Sequence, residues 1–176
     1  MATTVNGAFN EFMTNIINHD SNVVRDARQS RDNLLDNIEE FDIQRDFFDL
    51  YKSYNVHFGS FARKTKHREL DDIDLMIGIS ANGATYSSNC PWDDTSIISS
   101  TTNQAQVDCT NSDGTLNSAR VLNLLKTKLM NVREYSRSEI SRKGEAVVLN
   151  LTSKDWSFDI VPCFKQQRRV MVVNTF

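Results

Sequence analysis

The chain has 176 residues, 39% apolar and 24% charged, with only two prolines, a composition that fits one globular domain with a real core and excludes a disordered or fibrous chain. Twenty lysines and arginines face 23 aspartates and glutamates, for a formal charge of -3, which excludes a basic nucleic-acid coat protein but not a local basic cleft. No apolar run approaches the length of a membrane span, and the start MATTVNGAFNEF lacks the basic and apolar segments of a secretory signal, so no membrane contact and a cytoplasmic location are expected.

The first element is a short amphipathic piece with Phe9, Phe12, Met13, Ile16 and Ile17 on one side. From Asp20 a longer helix follows, with Val24, Ala27, Leu34, Leu35, Ile38 and Phe41 at helical spacing and Asp20 or Ser21 as N-cap. Both read as packing elements. Residues 54–58 form a short strand, Gly59-Ser60 a turn, and 73–79 a second strand of β-branched and apolar residues. The connection between them is basic, with Arg63, Lys64, Lys66, His67 and Arg68.

Residues 80–117 are dominated by Ser, Thr, Asn, Asp and Gly and read as a long loop or irregular insertion holding at most one short strand. The next helix carries Val121, Leu122, Leu125, Leu129 and Val132 as its apolar stripe, with Asn117 or Ser118 as cap. Two extended runs, 146–151 and 156–161, flank the turn-forming Thr152-Ser153-Lys154-Asp155 and read as a hairpin. The run 170–176 reads as the start of a further apolar strand, as if the chain stopped inside its natural architecture. Helices before and between strands indicate a mixed α/β domain around one sheet.

Cys90, Cys109 and Cys163 are widely spaced and odd in number, so they form neither a zinc pattern nor a disulfide framework. Cys163 reads as a buried, reduced thiol. Pairing of Cys90 with Cys109 is not expected in a reducing compartment. His19, His57 and His67 show no ligand spacing, and His57 reads as a packed strand residue. The later basic residues Arg133, Arg137, Arg142, Lys143, Lys165, Arg168 and Arg169 read mostly as solvated surface, a minority giving the cleft a positive field.

The chemistry concentrates in three aspartates. In Asp72-Ile73-Asp74 the two acids stand two apart on a strand, so they leave one face while Ile73, Leu75 and Ile77 enter the core. Two anions on one face call for a counter-charge, and a divalent cation with hard oxygen ligands supplies it. Asp71 is out of phase with the pair. Asp159 interrupts a strand whose Trp156, Phe158 and Ile160 form one apolar face, and a charge there needs a partner. Beside the first strand, parallel or antiparallel, it completes a three-carboxylate site able to hold two metal ions about 3.5–4 Å apart. Gly59-Ser60 adds a glycine that lets backbone approach a phosphate, then a hydroxyl and amide donors.

The run HFGSFARKTKHRELDDIDLMI resembles the Gly-Ser…Asp-x-Asp signature of the DNA polymerase beta-like nucleotidyltransferases. With the upstream helices, Thr65, GEAVVLNL and WSFDIVPCF, the chain is most similar to the cGAS/DncV-like nucleotidyltransferases, the CD-NTases of bacterial antiviral signalling. The resemblance runs from about Phe9 to Phe176 and is weakest over 80–117. It implies an α/β (α+β) polymerase beta-like palm, a mixed β-sheet flanked by helices. Residues 1–50 would be N-terminal helices packed on a catalytic core of 51–176, and the family's C-terminal helical lobe would be missing.

The resemblance further implies that Gly59 and Ser60 bind the donor triphosphate. Asp72, Asp74 and Asp159 become the catalytic, metal-binding acids, with two Mg2+ ions or Mn2+ in their place. The expected activity joins ATP, GTP or other nucleoside triphosphates into a cyclic or linear oligonucleotide messenger, releasing pyrophosphate, with a downstream effector as indirect partner. Binding of nucleic acid is not expected. Two rival readings are transfer to RNA ends or a protein hydroxyl, and a nucleotide-binding module inactive without its lobe.

Overall fold

A computed structural model describes residues 4–18, 20–43, 47–63, 65, 69–86 and 96–165. His19, His67, Cys90, Lys64, Lys66, Arg68, Arg168, Arg169 and the run 170–176 lie outside the described residues. The helices are α1 (Val5–Phe12), α2 (Ser21–Ile43), α3 (Gly59–Ala62), α4 (Gln104–Asp108) and α5 (Ser118–Met130). The strands are β1 (Val56–Phe58), β2 (Asp72–Ile79), β3 (Thr85–Tyr86), β4 (Ile97–Ile98), β5 (Glu139–Lys143), β6 (Ala146–Asn150) and β7 (Ser157–Phe164).

Five strands form one mixed sheet in the order β1-β2-β7-β6-β5. β2 and β7 run parallel at its centre, and every other neighbouring pair is antiparallel. A parallel pair needs a long crossover, and here it is the stretch from Ser80 to Trp156, which contains α4, α5 and the β5–β6 hairpin. Period-two alternation divides the sheet into two faces. Ile73, Leu75 and Ile77 of β2, Phe158 and Ile160 of β7, and Val147 and Leu149 of β6 are all almost fully buried on one of them.

That face shares one apolar cluster with Ala27, Leu34, Ile38 and Phe41 of α2 and with Val121, Leu122, Leu125 and Leu129 of α5. α2 is tied to the 3-10 turn that follows α5, Arg133–Tyr135, where Asn37 Nδ2 donates to Glu134 Oε2 and to the Tyr135 hydroxyl. At the end of α2, Phe41, Phe47, Phe48 and Phe164 form a chain of edge-to-face contacts at 5.6–6.2 Å, which anchors the helix to the end of β7.

Both long helices start where the sequence places a cap. Asp20 Oδ1 accepts from Asn22 N at 2.7 Å, and Asn117 Oδ1 accepts from Arg120 N at 3.1 Å while its amide donates to Asn111 Oδ1. Asn117→Ala removes both side-chain bonds, leaving Arg120 N only the Asn117 carbonyl at 3.0 Å, and is expected to cost about 1 kcal/mol. Urea unfolding checks this, and an unchanged midpoint would remove the cap from the account.

Several sequence expectations are corrected. The first amphipathic piece is helical, but α1 buries none of its residues. A π-helical turn, Met13–Ile17, leads into extended backbone at Asn18, which leaves Phe9, Phe12 and Ile16 at least half exposed. Gly59-Ser60 is not a free turn but the opening of α3. The described residues of the insertion 80–117 carry more regular structure than expected, with β3 and β4 paired as a ribbon followed by α4.

Its organiser is Gln106, fully buried, which accepts from Ser100 N at 2.7 Å and donates to Ala81 O at 2.8 Å. Side-chain amides carry these bonds, so no apolar period announces them. β5 was not expected at all, because Ile140 is the one apolar residue among its five. A charged edge strand of this kind resists further pairing, and a positive φ of 59° at Gly144 turns it into β6.

Cys109 is buried, with its thiol pushed up to about 11 by burial and then by Asp108. Cys163 is half-buried, short of the full burial expected, and burial also raises its thiol. No helix among the described residues is long and apolar enough to cross a membrane.

Candidate active site

The sheet face opposite the helices carries the three acids. The register puts Phe58 opposite Asp74, Asp74 opposite Asp159, Asp159 opposite Val148, and Val148 opposite Ser141, one row across all five strands. The adjacent row runs Asp72, Ser157, Asn150, Glu139. Neighbouring strands lie about 4.8 Å apart, so Asp74 and Asp159 stand side by side with Asp72 one pleat away. All three are half-buried.

The register is held at its start by Asp71, whose carbonyl accepts from Ser157 N at 2.9 Å and from its hydroxyl at 3.3 Å. Asp71 thus fixes the frame in which Asp72 and Asp74 are presented. The question left open by the sequence, parallel or antiparallel, is resolved as parallel.

The negative charges feel one another. Burial raises the Asp159 carboxyl above the ordinary carboxylate range, the charge of Asp72 raises it further, and Lys143 opposes both. Lys143 lies on the same face as Asp159 through β5 and β6. It is exposed and belongs to the basic group from which sequence expected a minority to give the cleft a positive field, without recognising the strand that brings it there.

Gly59 sets the position of Asp74. It has a φ of 73°, a left-handed conformation open to glycine and costly for other residues. A Cβ at this position would lie 1.7 Å from Asp74 Oδ2 and 2.6 Å from its Cγ. The glycine therefore makes room for a carboxylate as well as for backbone curvature. Among the described residues no side chain caps α3, which it opens, and the Ser60 carbonyl closes the segment by accepting from Thr65 N at 3.0 Å.

As a donor set, three carboxylates on one face of adjoining strands suit a hard divalent cation. Their present side-chain positions correct the expectation of a converged triad. Among the described residues no three His, Cys, Asp or Glu side chains come close enough to hold a metal ion, and Asp74 is turned against Gly59. Gathering the site therefore takes a side-chain rotation on a backbone already in register. His57, expected to be packed, is exposed on the edge strand β1.

No family model matches the chain. It is 39% identical over 173 residues to a protein of Bacillus cereus (strain VD146) described as a probable cyclic nucleotide synthase, covering 93% of this chain and 50% of that one. The chain thus spans about half the length of the curated relative it matches. Among solved structures it is similar to Escherichia coli MS115-1 CdnC in complex with HORMA-deltaN. The TM-score is 0.56 at 18% identity, over 92% of this chain and 41% of that one. CdnC with ATP gives 0.55 at 19% identity, over 91% and 41%. At these identities the structures establish a shared fold.

Proposed function

We propose, from the premise that the chain belongs to the cGAS/DncV-like nucleotidyltransferases, that it joins nucleoside triphosphates into a cyclic or linear oligonucleotide messenger with release of pyrophosphate. The observation that carries this reading is the row in which Asp74 lies beside Asp159, with Asp72 on the same face and Gly59 packed on Asp74. The 39% identity to a probable cyclic nucleotide synthase supports the class of product. A role of the messenger in bacterial antiviral signalling belongs to the same proposal.

In this reading Asp72 and Asp74 would hold a divalent ion whose charge offsets that of the donor phosphates, and Asp159 orients the attacking ribose hydroxyl. Gly59 and Ser60 receive the triphosphate at the uncapped start of α3. The hydroxyl oxygen bonds to the α-phosphorus as the bond to the departing pyrophosphate breaks, and the hydroxyl proton passes to the Asp159 carboxylate. Magnesium, when bound by the acids, supplies charge neutralisation for that pyrophosphate and lowers the pKa of the attacking hydroxyl.

Incubating the protein with all four ribonucleoside triphosphates and Mg2+, with no macromolecule added, is expected to yield oligonucleotides resolved by mass spectrometry. Products that form only when RNA or a protein acceptor is supplied would move the activity to the rival acceptor class. Triphosphate binding with no product under any condition would reduce the chain to a binding module.

A further inference from the structure

The insertion that follows β2 closes against α5 and leaves a cleft of about 390 Å³ between α4 and the first half of α5. Its volume lies within the range of about 300–1,000 Å³ usual for small-ligand sites. Ala105, Cys109 and Leu124 give it an apolar floor, the first two buried and the third half-buried. Asp108 borders it from α4, and Arg120 and Asn123 border it from α5. α5 packs on the sheet face opposite the three acids, and none of the acids lines the cleft.

The walls are joined before any ligand arrives. Asn117 N donates to Cys109 O at 2.8 Å, Asn117 Nδ2 donates to Asn111 Oδ1 at 2.9 Å, and Arg120 Nη1 donates to Thr110 O at 2.7 Å. These bonds pin the chain that leaves α4 to the start of α5, so little ordering remains to be done on binding.

Opposite charges that share a cleft gain by pairing. Here each is held by its own neighbour instead. Asp108 Oδ1 accepts from Gln104 Nε2 at 2.7 Å, and Arg120 is drawn to the Thr110 carbonyl. No ion pair joins Asp108 to Arg120 among the described residues, yet both charges reach one sulfur. Burial raises the Cys109 thiol most, Asp108 raises it further, and Arg120 lowers it.

A carboxylate and a guanidinium thus stand on the two walls above one small apolar floor. Asn123, three residues from Arg120 and so on the same helix face, adds a side-chain amide with no hydrogen bond among the described residues. A simple anion or cation meets one attractive and one repulsive charge here, and a neutral apolar molecule leaves both charges unmet. A small molecule with both charges and an apolar branch suits both walls and the floor.

We propose that this cleft binds a free aliphatic α-amino acid, its ammonium on Asp108, its carboxylate on Arg120 and Asn123, and its side chain over Ala105, Cys109 and Leu124. The inference takes nothing from the nucleotide chemistry. With the acids across the sheet, the amino acid is a bound ligand and not their substrate.

The test is calorimetric titration with L-leucine, set beside isocaproate, the same skeleton without the ammonium, and isoamylamine, which lacks the carboxylate. Leucine is expected to bind more tightly than either. Asp108→Asn keeps an acceptor for Gln104 and removes the charge, so it should weaken leucine about tenfold or more while isocaproate binds as before or more tightly. Arg120→Gln keeps a donor for the Thr110 carbonyl and should show the mirror pattern, with weaker leucine and isoamylamine unchanged or tighter.

No binding of leucine at tens of millimolar, or leucine held no more tightly than isocaproate and isoamylamine, would overturn the inference. Leucine affinity unchanged in Asp108→Asn would overturn it too. So would equal losses of all three ligands in both variants, the mark of side chains that only shape the cleft.

Discussion

Asparagine in place of Asp74 or of Asp159 is expected to abolish oligonucleotide formation, by a factor on the order of 10³ or more, while the fold survives. Metal-assisted charge stabilisation supplies several kcal/mol of a transition state, and each ~1.4 kcal/mol is tenfold in rate. The two acids sit side by side in register on adjacent parallel strands, so each is a separate point of failure. The stability readout gives the prediction its edge. Asp159 is already held above its ordinary range by burial and by Asp72, so removing a charge relieves repulsion. Urea midpoints of Asp159→Asn are expected to match or exceed the parent. Lost activity together with lost stability would mean that the acids serve the fold, and full activity in either variant would remove them from the chemistry.

Gly59→Ala is the second large effect, and it strikes both stability and rate. Alanine at a φ of 73° costs about 1–2 kcal/mol for the left-handed conformation alone. Its methyl would meet Asp74 Oδ2 at 1.7 Å and Asp74 Cβ at 3.0 Å, so the carboxylate has to move. Displacement of a reacting group by about 1 Å costs on the order of 10² in rate. The pair is therefore coupled. In a double-mutant cycle with Asp74→Asn, the activity losses should fall well short of additivity. Additive losses, or a Gly59→Ala variant with parental stability and turnover, would show that the close packing of glycine on aspartate has no functional weight.

Much of this site is legible in the sequence because strand periodicity fixes which side chains share a face. Asp72 and Asp74 alternate with buried Ile73 and Leu75, and Asp159 alternates with buried Phe158 and Ile160, so the acids fall on the open face as soon as the strands are recognised. The neighbour relation between β2 and β7 is not legible, because it depends on a crossover of more than seventy residues. Nor is the position of Lys143, whose strand β5 is nearly all polar. The insertion hides its order for a related reason, since Gln106 builds it from amide hydrogen bonds rather than from an apolar stripe.

α1 shows the opposite failure. Its apolar spacing is genuine, yet the π-helical turn and the extended Asn18 leave that stripe outside the core. Amphipathicity identifies the element and does not say what it packs against.

The central claim is that Asp72, Asp74 and Asp159 together hold divalent metal at a nucleotide. Anomalous diffraction from crystals grown with Mn2+ and a non-hydrolysable ATP analogue tests it most directly. The expected map has manganese in contact with all three carboxylates and with the analogue's phosphates, and Asp74 swung away from Gly59. An ordered analogue with no metal at these three aspartates, or manganese bound only elsewhere, would contradict the claim.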